Sequence, residues 1–138
     1  MTRELLRQSL TFTLNPGSGV PPYLQVVQQV QQALRMGHVQ PGDKLPTVKQ
    51  VVAELAINPN TVFKAYRELE NLGLVEGRRG VGTFVLRRPQ GPPPSTQARL
   101  ARTLERWIAS AHSEGLDDAA IEALVRSVLQ DRAERGVA

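Results

Sequence analysis

Apolar and polar positions change period several times along the chain, and each change predicts a new element. Residues 10–14, Leu-Thr-Phe-Thr-Leu, alternate with period two, which predicts a short strand. The turn-forming run NPGSGVP at 15–21 ends it. A helix is expected from Pro21–Pro22, because proline suits a first helical turn. Tyr23, Val26, Val27, Val30, Ala33 and Leu34 share one of its faces, and Gly37 is its stop. Residues 39–46, VQPGDKLP, read as a connector. Thr47 then caps a second helix with Val48, Val51, Val52 and Leu55 inward. Ala56-Ile57 makes a tight turn. Asn58-Pro59 supplies a cap and an N-terminal proline for a third helix, which buries Val62, Ala65, Tyr66, Leu69 and Leu72 before ending at Gly73.

The period then changes again. Two short runs, Leu74–Glu76 and Gly82–Leu86, flank Gly77-Arg78-Arg79-Gly80-Val81 and predict a hairpin with a basic, glycine-flanked tip. Residues 87–94, RRPQGPPP, read as a semi-stiff linker that continues neither helix nor strand. Beyond it Leu100, Leu104, Trp107, Ile108 and Ala111 recur at helical spacing, and after a break at Gly115 so do Ile121, Leu124, Val125, Val128 and Leu129. These predict helices at about 96–112 and 116–134. A tightly turned helix pair followed by a basic hairpin is the pattern of a winged helix-turn-helix. The fold class is therefore mainly α with a small β-wing. A winged helix-turn-helix DNA-binding domain is expected at 1–88, a Pro-rich linker at 89–95 and a two-helix dimerisation region at 96–138.

Composition narrows the function. With 41% hydrophobic and 22% charged residues the chain has the balance of a soluble globular protein. It contains no apolar run near the ~18 residues of a membrane span. The first ten residues, MTRELLRQSL, carry charges throughout and are not read as a secretory signal. A cytoplasmic protein without a membrane partner is expected. The absence of cysteine excludes disulfides, cysteine zinc sites and a thiol nucleophile. Charge is uneven: residues 1–88 hold 11 Lys/Arg against 6 Asp/Glu, and residues 89–138 hold 6 against 7. A basic larger part joined to a near-neutral smaller part points to a polyanion at the first, although +5 also lies within ordinary solubility charge.

Catalysis finds no support. His38 and His112 lie in different segments with no acidic or histidine partner at ligand spacing, and Asp117-Asp118 reads as a helix N-terminus favoured by the dipole. No hydrolase, metalloprotease, P-loop or dinucleotide motif is present. The expectation is no enzyme, no metal and no cofactor. DNA contact has better candidates. The outward start of the third helix carries Asn60, Thr61, Phe63, Lys64 and Arg67, at the end that enters a major groove in helix-turn-helix proteins. Asn pairs with adenine, Lys with guanine acceptors, and apolar atoms meet a thymine methyl. A solvated amphipathic helix with capping residues is the alternative. Thr47 and Lys49, at the start of the preceding helix, suit phosphate contact, and Thr47 also suits a plain N-cap. Arg78 and Arg79 at the hairpin tip suit phosphate or a minor groove.

These motifs also resemble a family. From Pro22 to Val85 the chain is similar to the winged-helix domain of the GntR-type bacterial transcription regulators. The markers are PGDKLPT at 41–47, NPNTV at 58–62, AYRELE at 65–70, Gly73-Leu74-Val75 and GVGTFV at 80–85. The short C-terminal part resembles the YtrA-type branch, in which two helices complete the protein in place of a large effector domain. The resemblance implies a homodimeric repressor on a palindromic operator in double-stranded DNA, often before its own operon, with ABC-transporter or envelope genes downstream. By position, Lys49 matches a DNA-contacting basic residue that is usually arginine. Asn58, Asn60, Thr61, Phe63 and Lys64 match the DNA-facing start of the recognition helix, and Gly80 and Gly82 match the wing. Lys49 lacks arginine's bidentate fork. Phe63 either meets a thymine methyl or turns inward, and Val81 stands where a basic residue is common.

Leu100, Leu104, Trp107, Ile108, Ile121, Leu124, Val125 and Val128 form stripes too large for an isolated helical hairpin to bury. They pack either on the winged-helix domain or on their mates in a dimer, and dimerisation is the favoured expectation. Two other readings stay open. One is a winged-helix protein-interaction module. The other is a ligand-gated regulator, whose small-molecule effector the sequence does not name.

Overall fold

A computed structural model describes residues 10–136. The charged segment 1–9, and with it the reading that it is no secretory signal, lies outside them. A 3-10 turn at Pro16–Ser18 precedes helix α1 (Pro22–Met36), α2 (Val48–Leu55) and α3 (Pro59–Asn71). Strands β1 (Val75–Arg78) and β2 (Gly82–Val85) follow, then α4 (Pro94–Ser113) and α5 (Asp118–Glu134). The chain divides into two compact units, Met1–Gln97 and Ala98–Ala138.

Local chemistry explains where the helices begin. The Thr47 hydroxyl accepts from Gln50 N and the Gln50 carboxamide accepts from Thr47 N, a reciprocal capping box that starts α2. The Asn58 side chain accepts from Asn60 N with Pro59 behind it, which starts α3. Ala56, at φ 53, turns the chain between the two helices. The apolar faces of α1, α2 and α3 then meet. Val26, Val30, Leu34, Val51, Val62 and Leu69 are fully buried at the centre, each worth about 1.5–3 kcal/mol of burial. The Tyr66 hydroxyl, set in this core, donates to Pro46 O at 2.6 Å. Burial pushes its phenol well above the ordinary range, and the nearby Glu54 carboxylate adds to the shift.

Four sequence expectations are corrected here. Residues 10–14 form no strand. Leu10 and Phe12 are buried while Thr11 and Thr13 are exposed, so the alternation is real. Side chains meet this backbone in place of a neighbouring strand: Glu54 accepts from Phe12 N, and Gln29 both accepts from Thr13 N and donates to Thr13 O. Leu72, expected in the core, is the C-cap just beyond α3 and stands 41% exposed. Gly77 and Arg78 belong to β1 rather than to the tip, which is reduced to Arg79-Gly80-Val81 and closed by Val81 N donating to Arg78 O. The linker is shorter than predicted, because Pro94 begins α4, as an N-terminal proline does.

The connector is also more than a connector. β1 and β2 pair antiparallel, with Val75 opposite Val85 and Arg78 opposite Gly82. Lys44 bridges to Phe84, Val85 N donates to Asp43 O, and Leu45 N donates to Thr83 O. Residues 42–45 thus satisfy the free edge of β2 and tie the wing to the start of α2.

In the second unit Ala111 and Ile121 are buried, whereas Leu100, Leu104, Trp107, Leu124, Val125, Val128 and Leu129 are exposed. His112, expected to lack a partner, lies 2.8 Å from Asp118 across the turn between α4 and α5. Asp117 caps α5 by accepting from Ala120 N.

Candidate nucleic-acid interface

The first turns of α3 present a mixed surface. Asn60, Phe63, Lys64 and Arg67 are exposed and Thr61 is half-buried, while Val62, Ala65 and Tyr66 face the core. Phe63 is 50% exposed, which settles its direction: it points away from the core. Lys64 does not float freely. Its ammonium sits 4.2 Å from the centre of the Tyr23 ring, so a cation–π contact with α1 steadies it. The Asn58 oxygen is committed to its cap.

The wing supplies the second cluster. Arg78 lies over the Phe84 ring at 4.5 Å and reaches Glu76 at 3.5 Å, a half-exposed pair of little energetic weight. Arg79 is exposed at the turn. Gly80 there has φ 76 and Gly82 has φ 142, both in the region that glycine tolerates best. A Cβ on Gly82 would land 2.5 Å from Lys44 Cε, so glycine lets the Lys44 stem cross the wing at this point. Sequence reasoning missed Lys44. Its signal was the bridge to Phe84, a pairing 40 residues apart that no local pattern reveals.

The structure brings together residues that the sequence sets far apart. A shallow depression of about 430 Å³ is lined by Thr47, Arg78, Arg79, Gly80, Gly82 and Thr83, among others, so the cap of α2 and the basic wing border one surface. Lys49 is exposed on α2 but does not line this depression. Neither do the exposed residues of α3. No group of three or more His, Asp or Glu that would hold a metal occurs among the described residues, and none of their helices is long and apolar enough to cross a membrane.

A three-helix core with a capped helix pair and a basic two-stranded wing defines a winged helix-turn-helix DNA-binding regulator. The family model "Bacterial regulatory proteins, gntR family" matches residues 22–85. The HTH-type transcriptional repressor YtrA of Bacillus subtilis (strain 168) is 32% identical over 119 residues, which cover 86% of this chain and 92% of that protein. The chain belongs to the GntR family of DNA-binding transcription regulators. Among solved structures, a transcriptional antiterminator from Listeria monocytogenes EGD-e aligns with a TM-score of 0.53 at 31% identity, over 88% of this chain and 91% of that one. YtrA from Sulfolobus acidocaldarius, a GntR-family transcription factor, aligns with a TM-score of 0.51 at 26% identity, over 71% of this chain and 97% of that one.

Proposed function

We propose that the protein is a cytoplasmic homodimeric repressor that occupies a palindromic operator, its own promoter being the first candidate site. The observation that carries this reading is the exposed set on α3, Asn60, Phe63, Lys64 and Arg67, held on the same compact unit as a basic wing.

Each residue has a role in it. Asn60 reads adenine, Lys64 reads guanine and Phe63 meets a thymine methyl, with Asn58 and Thr61 completing the entry of α3 into the major groove. Thr47, Lys49, Arg67, Arg78 and Arg79 contact phosphates, and Gly80 and Gly82 allow the wing to approach the duplex closely. Lys44, beside Gly82, joins the phosphate set. Residues 1–88 form the DNA-binding domain, 89–93 the linker and 94–138, from the proline that begins α4, the dimerisation region. Two copies pair through Leu100, Leu104, Trp107, Leu124, Val125 and Val128, with Ile108 at the margin. Ile121 is buried within the single chain and serves the protomer instead. The dimer sets two half-sites roughly one helical turn apart, ~34 Å. Occupancy of the promoter blocks transcription.

Selection of bound duplexes from a random library at near-physiological salt tests this. An enriched palindrome is the expected result. Bulk, salt-sensitive binding without enrichment overturns the reading of a palindromic operator bound by this chain alone, and points to a missing effector or partner, or to a target other than DNA.

A further inference from the structure

Away from the wing tip, a second concavity lies within the first unit where β2 gives way to the proline-rich segment. It encloses about 220 Å³ and is lined by Gln31 of α1, Leu72 and Leu74 beyond α3, and Arg87, Arg88 and Gln90. We propose that this cleft binds a small organic anion, a carboxylate carrying a short apolar chain.

Three observations carry the proposal. The first is charge. Two arginines and no carboxylate line the cleft. Arg87 is pinned, donating from Nε to Gly73 O at 3.1 Å and from Nη2 to Leu72 O at 3.2 Å. Its charge is thereby held at the cleft wall and partly offset by the carbonyl end of α3. Arg88 has no hydrogen-bond or ion-pair partner among the described residues, which leaves a full guanidinium fork for a carboxylate.

The second observation is the apolar wall. Leu72 sits at a position whose spacing predicts burial, yet it stands 41% exposed beside Leu74, which is 4% exposed. A bare inorganic anion leaves that surface wet. An alkyl chain covers it, and the favourable transfer of apolar surface from water follows.

The third is size. A volume of about 220 Å³ is below the range of roughly 300–1,000 Å³ for drug-sized ligands. It equals about seven waters' share of liquid. A short fatty or branched-chain acid matches that volume, and the Gln31 and Gln90 amides offer further hydrogen bonds to its head.

The test uses the 15N-labelled full chain without DNA, so its result is independent of the operator reading. Sodium hexanoate is titrated against sodium chloride at matched ionic strength, with hexanamide as the uncharged isostere and acetate as the short one. Saturable amide shifts centred on Gln31, Leu74 and Gln90 are expected, with hexanoate binding more tightly than acetate and roughly tenfold more tightly than hexanamide. Arg88→Ala, a change at an exposed position, weakens hexanoate by a similar factor. Arg79→Ala on the wing leaves it unchanged. Non-saturating or scattered shifts, equal affinity for hexanamide, or an Arg88→Ala protein that binds as well as the parent would each overturn the proposal.

Discussion

The two compact units solve the burial problem in opposite ways. Among the described residues of the first, 17 apolar ones form one cluster, and the exposed large apolar side chains are four separate ones, Phe63, Leu72, Val81 and Leu86. Among those of the second, two are buried and seven large apolar ones are exposed at helical spacing. Single exposed apolar residues on a closed core are ordinary, whereas continuous stripes mark a surface that associates. The first unit therefore closes its own core, and on the proposed reading its exposed residues serve recognition. On the same reading the second unit covers its stripes only against a second copy.

The largest effects should break this contrast from each side. Leu69→Ala removes a side chain with no solvent exposure from the closed core, and a cavity there costs about 2–5 kcal/mol of stability. Chemical denaturation should show that loss at every protein concentration. Trp107→Ala acts on the other unit, where the indole is 40% exposed in one chain. Dimer affinity should fall by about 2–4 kcal/mol, as for an aromatic anchor at an interface. Sedimentation velocity reads it directly. An unchanged monomer–dimer equilibrium would remove α4 from the interface.

The same contrast bears on what the sequence made legible. Helix starts were readable because Thr47, Asn58 and Pro59 act within three residues of their targets, and the core faces of α1 and α3 follow from spacing alone. Period-two alternation at 10–14 predicts a strand where none forms, because an extended segment docked by side chains buries alternate residues just as a strand does. The docking groups, Gln29 and Glu54, lie 16 and 42 residues away. The Lys44–Phe84 bridge and the His112–Asp118 pair escaped for the same reason: their geometry exists only once turns have closed. At the candidate interface, residue types were legible in the sequence. The convergence of Thr47 with Arg78 and Arg79 was not.

Smaller effects sharpen the comparison inside the first unit, by separating residues that hold the core from residues proposed to face DNA. Lys64→Ala leaves the core intact and gives up only the contact over Tyr23. It should relax sequence preference at one symmetric pair of operator positions by about 1–3 kcal/mol, measured by repeating the library selection with the variant. Tyr66→Phe does the reverse. It takes the 2.6 Å hydrogen bond from Pro46 O and should cost about 1–3 kcal/mol of stability with operator preference unchanged. The pH dependence carries a definite sign. The folded phenol holds its proton to higher pH than the ordinary value of 10.0, so its contribution is complete below that pH. Above it the unfolded chain ionises first, and stability falls by up to about 1.4 kcal/mol per pH unit. Urea midpoints taken between neutral and strongly alkaline pH should show this slope in the parent and not in Tyr66→Phe.

The smallest effect distinguishes the two wing arginines from each other. Arg78 lies on β1, engaged with the Phe84 ring and Glu76, whereas Arg79 projects from the turn with no such contact among the described residues. A side chain already stacked and paired must give up those contacts to reach a phosphate, while the tip residue meets it with no competing partner. Each phosphate neutralised releases close to one counterion, so its loss flattens the plot of log K against log salt by roughly 1. Arg79→Ala should show that full change in operator binding followed across a salt series. Arg78→Ala should show a smaller one, together with a slight loss of stability from the uncovered Phe84 ring. Equal slopes for the two variants would mean that the wing rearranges on DNA, and that the contacts holding Arg78 in the free protein do not decide which cation meets the backbone.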